Sequence, residues 1–362
     1  MERRKFIGTA GAALAAGTAG LVHAPFVIAQ PKIRWRMPTT WTPALNVMLG
    51  SAQRLAALVN GLSGGRLQIE VFPAGQIVPP LGVFDAASQG TVEAFMGASY
   101  YWAAKDPAVQ WFCSVPFGMN PGGMSSWYFQ GDGLKLWEEA YAAFNLVPRP
   151  GPATGPQMAG WFRKKINTLA DFKGLKMRMP GLGGQVLTRA GGAVVLTPGG
   201  EIFAALERGA IDAAEWVGPH DDLQLGLQNT ARYYYYPGWH EPATTLEFAF
   251  NKKAYDALPA DLQRILDHAV TAVSVHGLSE YEAKNAIGLE KLKTEYARKV
   301  EILGLPPAVL RDLRKLATDV MKAESDKTPM ARKVYASFTK FQGQLGGWRR
   351  VSESAYHQFV AV

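Results

Sequence analysis

Cysteine is almost missing. Cys113 stands alone in 362 residues, so no internal disulfide and no cysteine-based metal centre can form. Within "QWFCSVPF" its thiol reads as a small buried hydrophobe. The signatures HExxH and CxxC are absent, which removes the familiar zinc-peptidase and dithiol classes. Beyond the N-terminal segment, no apolar run approaches the about 18 residues of a membrane-crossing helix. Acids are fewer than bases, 30 against 38, for a formal charge of +8. The bases are spread without long runs or a nucleic-acid motif, so nucleic acid is not an expected partner. Histidines are few. His220 and His240 fall in loops with no Ser or Cys nucleophile at a recognisable spacing, and both read as packing or solvent-facing groups.

What is present begins with "RRKFIGTAGAALAAGTAGLVHAPFVIAQ". A twin arginine, a small-residue apolar run and "VIA" before Gln30 make residues 1–29 an export signal of the twin-arginine type. The mature chain then opens β-α-β. Ile33, Trp35 and Met37 alternate with Arg34 and Arg36, "NVMLGSAQRLAALVNGLSGG" is helical with a glycine stop, and "RLQIEVF" is a second strand.

The chain also echoes itself. "VFDAASQGTVEA" from Val83 aligns without gaps on "IFAALERGAIDA" from Ile202, matching Phe84 with Phe203, Gly90 with Gly209 and Ala94 with Ala213. Each copy reads as helix, glycine cap and short strand, and each strand runs into aromatics. Two similar α/β lobes with strand ends facing one crevice follow, and ligands bind at such strand ends. The expected fold class is α/β and two-lobed, with mixed sheets flanked by helices. Residues 30–155 and 241–280 would form lobe I, and residues 156–240 and 281–335 lobe II. "LEFAFN" (Leu246 to Asn251) alternates and carries the chain back towards the first lobe. A long helix runs from about Leu258 to about Lys299, charged on most faces in its second half. A tail over 336–362, after a glycine break, carries Trp348, Tyr356 and Phe359. It either docks on its own lobe or reaches a second subunit.

Two residues concentrate the chemistry. Glu215 follows the apolar Ile211, Ala213 and Ala214. A buried carboxylate is costly unless paired, so it requires an Arg, a Lys or a metal ion. Arg178 ends the strand "LKMRMP" beside a Gly-rich turn into a helix, where a guanidinium suits a small carboxylate. An edge-strand surface arginine is the competing reading. Glu241, Gln157 and the aromatics of "YYYYPGW" complete the composition of a small-molecule pocket.

"FPAGQIV", "YYWAAKDPAV", "VPFGM", "GPQMAGWF", "DFKGLKMRMPGLGG", "LERGAIDAAEWVGPHDD" and "YYYYPGWHEP" follow in order. Together they resemble the extracytoplasmic solute receptors of tripartite ATP-independent periplasmic (TRAP) transporters, in the branch that binds 2-oxo monocarboxylates such as pyruvate. The resemblance implies a periplasmic-binding-protein-like fold and a non-catalytic periplasmic receptor serving a small and a large membrane subunit. It implies that Arg178 pairs with the substrate carboxylate. Gln157, Glu215 and the Trp216 carbonyl would hold Na⁺ or Ca²⁺. Gln157, Trp216, Glu241, Tyr100 and Tyr101 would contact substrate, and the terminal helix would make a homodimer. On pocket composition alone, an exported metal-dependent enzyme acting on a 2-oxo acid is the alternative.

Overall fold

The computed structural model describes residues 32–360; the expected export signal lies outside them. The chain opens with β1 (Ile33–Pro38), a helix over Asn46–Leu62 and β2 (Leu67–Phe72), which pairs parallel to β1. Trp35 and Met37 are buried while Arg34 and Arg36 are exposed, as period-2 alternation requires. A bridge from Thr39 to Met96 leads to a three-stranded sheet. There β3 (Ala94–Gly97) and β4 (Leu146–Ala153) flank β10 (Thr245–Asn251), both antiparallel to it.

The alternation of "LEFAFN" does not give β10 a wet face. All seven of its residues are buried, because the strand is central. Its one acid, Glu247, is satisfied inside by the Trp102 indole at 2.5 Å and the Tyr141 hydroxyl at 2.7 Å. Burial pushes its carboxyl up to about 7.

The second sheet has six strands. Its order is β11 (Glu301–Gly304), β9 (Tyr233–Tyr236), β5 (Gly160–Phe162), β8 (Ala213–Ala214), β6 (Lys176–Arg178) and β7 (Ala193–Val195). β6, β7 and β8 run parallel, and β5 is antiparallel to both neighbours. The architecture is two-lobed α/β with mixed sheets.

The internal echo is structural. Helices Val83–Ser88 and Gly199–Glu207 end at Gly90 and Gly209, both left-handed, with φ of 77° and 71°. The next N–H closes back identically, Thr91 onto the Ala86 carbonyl and Ala210 onto Ala205. One copy feeds β3, in the three-stranded sheet, and the other feeds β8, in the six-stranded sheet. The aromatic residues after each strand therefore arrive from different sheets.

The long helix covers Ala260–Thr294, shorter at its end than the charge pattern predicts. It packs on helix Asn46–Leu62 and β4, and further along on helix Pro219–Gln224. Two glycines permit this. A Cβ on Gly277 would lie 2.5 Å from Pro152, and one on Gly288 would lie 2.8 Å from the Pro219 backbone. Eleven residues are three helical turns, so both glycines share one face.

The C-terminal region departs from expectation. Helix Pro329–Val351 continues through Gly343, Gly346 and Gly347 without a break. An interior glycine costs a helix about 1 kcal/mol, which weakens it but does not end it. A short helix, Glu353–Phe359, follows.

Candidate functional site

Strand register builds the centre of the site. Arg178 stands opposite Ala214 in the parallel β6–β8 pair, so the next residue, Glu215, emerges beside the guanidinium. Arg178 Nη1 donates to Glu215 Oε1, and to the Glu215 carbonyl at 3.0 Å. Its Nε donates to the Thr197 carbonyl at 3.2 Å, and its Nη2 points to the Tyr101 hydroxyl at 3.4 Å. The guanidinium lies 4.9 Å from the centre of the Trp216 ring system, a cation–π distance. Arg178 is 1% exposed and Glu215 is fully buried. Burial works against the arginine's charge, but Glu215, with Tyr101, Tyr100 and Glu241, together outweigh it and the net pKa shift is upward.

Two further groups reach Glu215 from the connection between β9 and β10. His240 Nε2 lies 3.3 Å from Glu215 Oε2. One ligand atom each from Glu215, His240 and Glu241 falls within 4.8 Å of the others. Burial, and then the charge of Glu215, push the Glu241 carboxyl well above the usual carboxylate range. Glu241 accepts from the Thr244 hydroxyl.

Gln157 comes from the other connection between the sheets, joining β4 to β5. The two connections are laced together. Thr154 N–H donates to the Thr244 carbonyl at 2.9 Å, Gln157 N–H to Glu241 at 3.1 Å and Gly238 N–H to Gln157 at 2.9 Å. The Gln157 amide nitrogen donates to the hydroxyls of Thr154 and Thr244 at 3.1 and 3.0 Å. This fixes the amide with its oxygen on the other side. That Oε1 is buried and accepts no hydrogen bond.

The remaining wall is aromatic and comes from the segments that follow β1 and β3. Tyr100 packs edge-on against Tyr101 at 4.9 Å, and Trp41 sits 6.4 Å from Tyr101 and 6.3 Å from Trp216. Burial, then the charge of Glu241, hold the Tyr100 phenol in its neutral form. Tyr100 and Tyr101 also line a cavity of about 670 Å³ with Gln110, Pro180 and Gly181. Arg178, Glu215 and Glu241 do not border that cavity.

Of the residues singled out in the sequence, Arg178, Glu215 and Trp216 are in mutual contact, with Tyr101 against Arg178. Glu241 and Gln157 join through Thr244. Tyr100 stands behind Tyr101. The reading of Glu215 as needing a cationic partner is met within the chain by Arg178. Sequence reasoning missed His240, set aside as a loop histidine, and also Trp41, Thr154 and Thr244. Only the adjacency "HE" in "PGWHEP" pointed towards His240.

The donor set fits a hard cation. Such ions take oxygen ligands, and this corner offers two carboxylates and one amide oxygen. An orphaned buried carbonyl loses the hydrogen bond it had with water, and the Gln157 oxygen would regain a partner in a metal ion. Arg178 offsets only one of the two acids.

Comparison with known proteins places these residues in context. The chain is 40% identical over 367 residues to a monocarboxylate 2-oxoacid-binding periplasmic protein of Nostoc sp., covering 100% of this chain and 99% of that one. A TRAP periplasmic solute-binding protein of Pseudoalteromonas atlantica, crystallised with sodium and pyruvate, is 39% identical. It superposes with a TM-score of 0.88 over 91% of this chain and 99% of that one. A TRAP transporter solute-binding protein of Bordetella bronchiseptica, a dimer with calcium and picolinate at one active site, is 37% identical. Its TM-score is 0.88, over 91% of this chain and 97% of that one. Residues 38–327 match the DctP family, described as bacterial extracellular solute-binding protein, family 7, and the chain belongs to that family.

Proposed function

We propose that the chain is the periplasmic receptor of a TRAP transporter and carries a small 2-oxo monocarboxylate such as pyruvate together with one cation, Na⁺ or Ca²⁺. The observation that supports the reading is the buried Arg178–Glu215 pair with Glu241 and His240 beside it, and Gln157, whose amide oxygen has no partner, linked to Glu241 through Thr244. The relatives crystallised with pyruvate and sodium, or with picolinate and calcium, hold ligands of matching chemistry. Each ligand offers a carboxylate oxygen and a neighbouring donor that can share one cation.

Glu215, Gln157 and the Trp216 carbonyl would hold the ion, with Glu241 close enough to contribute. The ion would supply a positive charge that both offsets the acids and draws the ligand's oxygens. Arg178 would bind the ligand carboxylate, and Trp216, Tyr100 and Tyr101 would wall it in. Lobe I (30–155, 241–280) and lobe II (156–240, 281–335) would close around it, and membrane subunits would receive the cargo. No described helix is long and apolar enough to cross a membrane, and the N-terminal segment would direct export. The exposed Trp348, Val351, Tyr356 and Phe359 support a homodimer formed through the C-terminal helices.

Calorimetry on chelator-treated mature protein tests the reading. Pyruvate should release or absorb heat with one site per chain when calcium or sodium is present. No heat and no thermal shift with any small 2-oxo acid would sink it. Pyruvate recovered from the mixture should be chemically unchanged, with no protein-dependent deuterium exchange at C3; turnover would instead favour an enzyme.

A further inference from the structure

Behind the proposed cation corner lie two adjacent buried acids, Asp221 and Asp222, on helix Pro219–Gln224. Among the described residues no cationic side chain hydrogen-bonds to either of them, Lys284 acting on Asp221 only from a distance. Asp222 instead holds three neutral donors. Its Oδ1 accepts from the Val217 N–H at 3.1 Å. Its Oδ2 accepts from the Trp161 indole at 2.9 Å and the Tyr234 hydroxyl at 2.7 Å. The two rings stack at 4.0 Å.

Each partner is tied to a segment that carries a site residue, Val217 by sequence and Trp161 and Tyr234 by strand pairing. Val217 follows Trp216 directly. Its carbonyl accepts from the Met158 N–H at 3.0 Å, and Met158 follows Gln157. Trp161 pairs with Ala214, just before Glu215, and Tyr234 pairs with Trp161. Val217 is thus gripped at both ends, by Asp222 on its N–H and by the Gln157 segment on its C=O. Asp221 adds a tie to the long helix by accepting from the Tyr281 hydroxyl at 2.9 Å. A carboxylate without a counter-ion is an expensive way to bind three neutral donors. Burial pushes Asp222 up to about 6. The expense is accounted for if the fixed geometry is what the site needs.

We propose that Asp222 is a positioning residue. It holds Val217, and through it the Trp216 carbonyl and Gln157, in the register where both can share one cation with Glu215. It thereby governs cation affinity without touching ligand or ion. This rests on the cation-assisted reading above. Asp222→Asn keeps the size and loses one acceptor, leaving either Val217 or the Trp161–Tyr234 pair opposite a donor. Outer-shell changes of this kind typically weaken metal binding about 10–100-fold.

Calcium chloride should be titrated into chelator-treated protein at saturating pyruvate. Asp222→Asn should raise the calcium Kd by at least about tenfold, with stoichiometry unchanged. At saturating calcium its pyruvate affinity should stay within about threefold of wild type. Tyr234→Phe removes one donor, is milder if the asparagine variant folds poorly, and should shift calcium affinity in the same direction by less. A calcium Kd within twofold of wild type in a folded Asp222→Asn protein overturns the proposal. So does a fall in stoichiometry at constant Kd, which is the signature of a purely structural loss. Wild-type protein showing no calcium-dependent pyruvate binding would instead overturn the cation-assisted reading, and this proposal with it.

Discussion

Arg178 and Glu215 are each other's principal charged partner within the chain, and this changes what a substitution there does. Removing one member of a buried pair leaves the other uncompensated, at about 3–5 kcal/mol. Arg178→Met should therefore abolish pyruvate binding and also lower the unfolding free energy by roughly that amount. Calcium should raise the melting temperature of this variant more than that of wild type, because the ion replaces a lost countercharge. Differential scanning fluorimetry with and without calcium reads both effects. An unchanged apo stability would mean that Glu215 does not depend on Arg178. The need of Glu215 for a cation was legible in the sequence, because an acid that ends a buried strand must be compensated. Its pairing with Arg178 was not, since Arg178 was expected to meet a ligand carboxylate and Glu215 a metal ion. Asp222 was not legible either. Two acids after a proline look like an ordinary solvated helix start, where acids are favoured, and only the fold brings Trp161 and Tyr234 over them. His240 was hidden for a similar reason: its contact with Glu215 spans 25 residues and a change of strand.

At the level of elements, the echo was readable because helix, glycine cap and strand each leave a local signature, and both copies fold as written. The nature of β10 was not, since alternation cannot tell a half-wet strand from a central strand whose acid is satisfied inside. Glycine was the least readable residue. Those at 343, 346 and 347 look like a break and are helical, whereas Gly277 and Gly288 leave no trace in a helical pattern yet set how closely the long helix approaches its neighbours. The two kinds should respond oppositely to alanine. Gly288→Ala puts a methyl 2.8 Å from backbone and should cost about 1–3 kcal/mol by overpacking. Gly343→Ala meets nothing within 4 Å and should gain about 0.5–1 kcal/mol from helix propensity. Urea unfolding of both variants checks the pair of signs, and a stabilised Gly288→Ala would contradict the close packing.

On the scale of the whole molecule, the C-terminal helices are the region whose surface is least accounted for by the chain itself. Trp348 is 65% exposed and Phe359 77%, values more often seen where another surface is to be met. Deleting residues 346–362 should convert a dimer into a monomer by light scattering without loss of pyruvate binding. A full-length monomer at micromolar concentration would already exclude the proposed assembly.

The proposed site is divided unequally between the two larger sheets. Arg178, Glu215 and Trp216 hang from neighbouring strands of the six-stranded sheet, and Gln157 and Glu241 sit on the two connections beside it. The three-stranded side delivers rings: Tyr100, Tyr101 and, from beyond β1, Trp41. Capture and enclosure are therefore separable in time. If Arg178 binds the ligand as proposed, an anion arriving from solution would meet its charged partners on one wall before the opposite wall closed. What closure then supplies is exclusion of water, which strengthens interactions already made and adds none of opposite sign. Release to a transporter would in turn require only that the aromatic wall be drawn away.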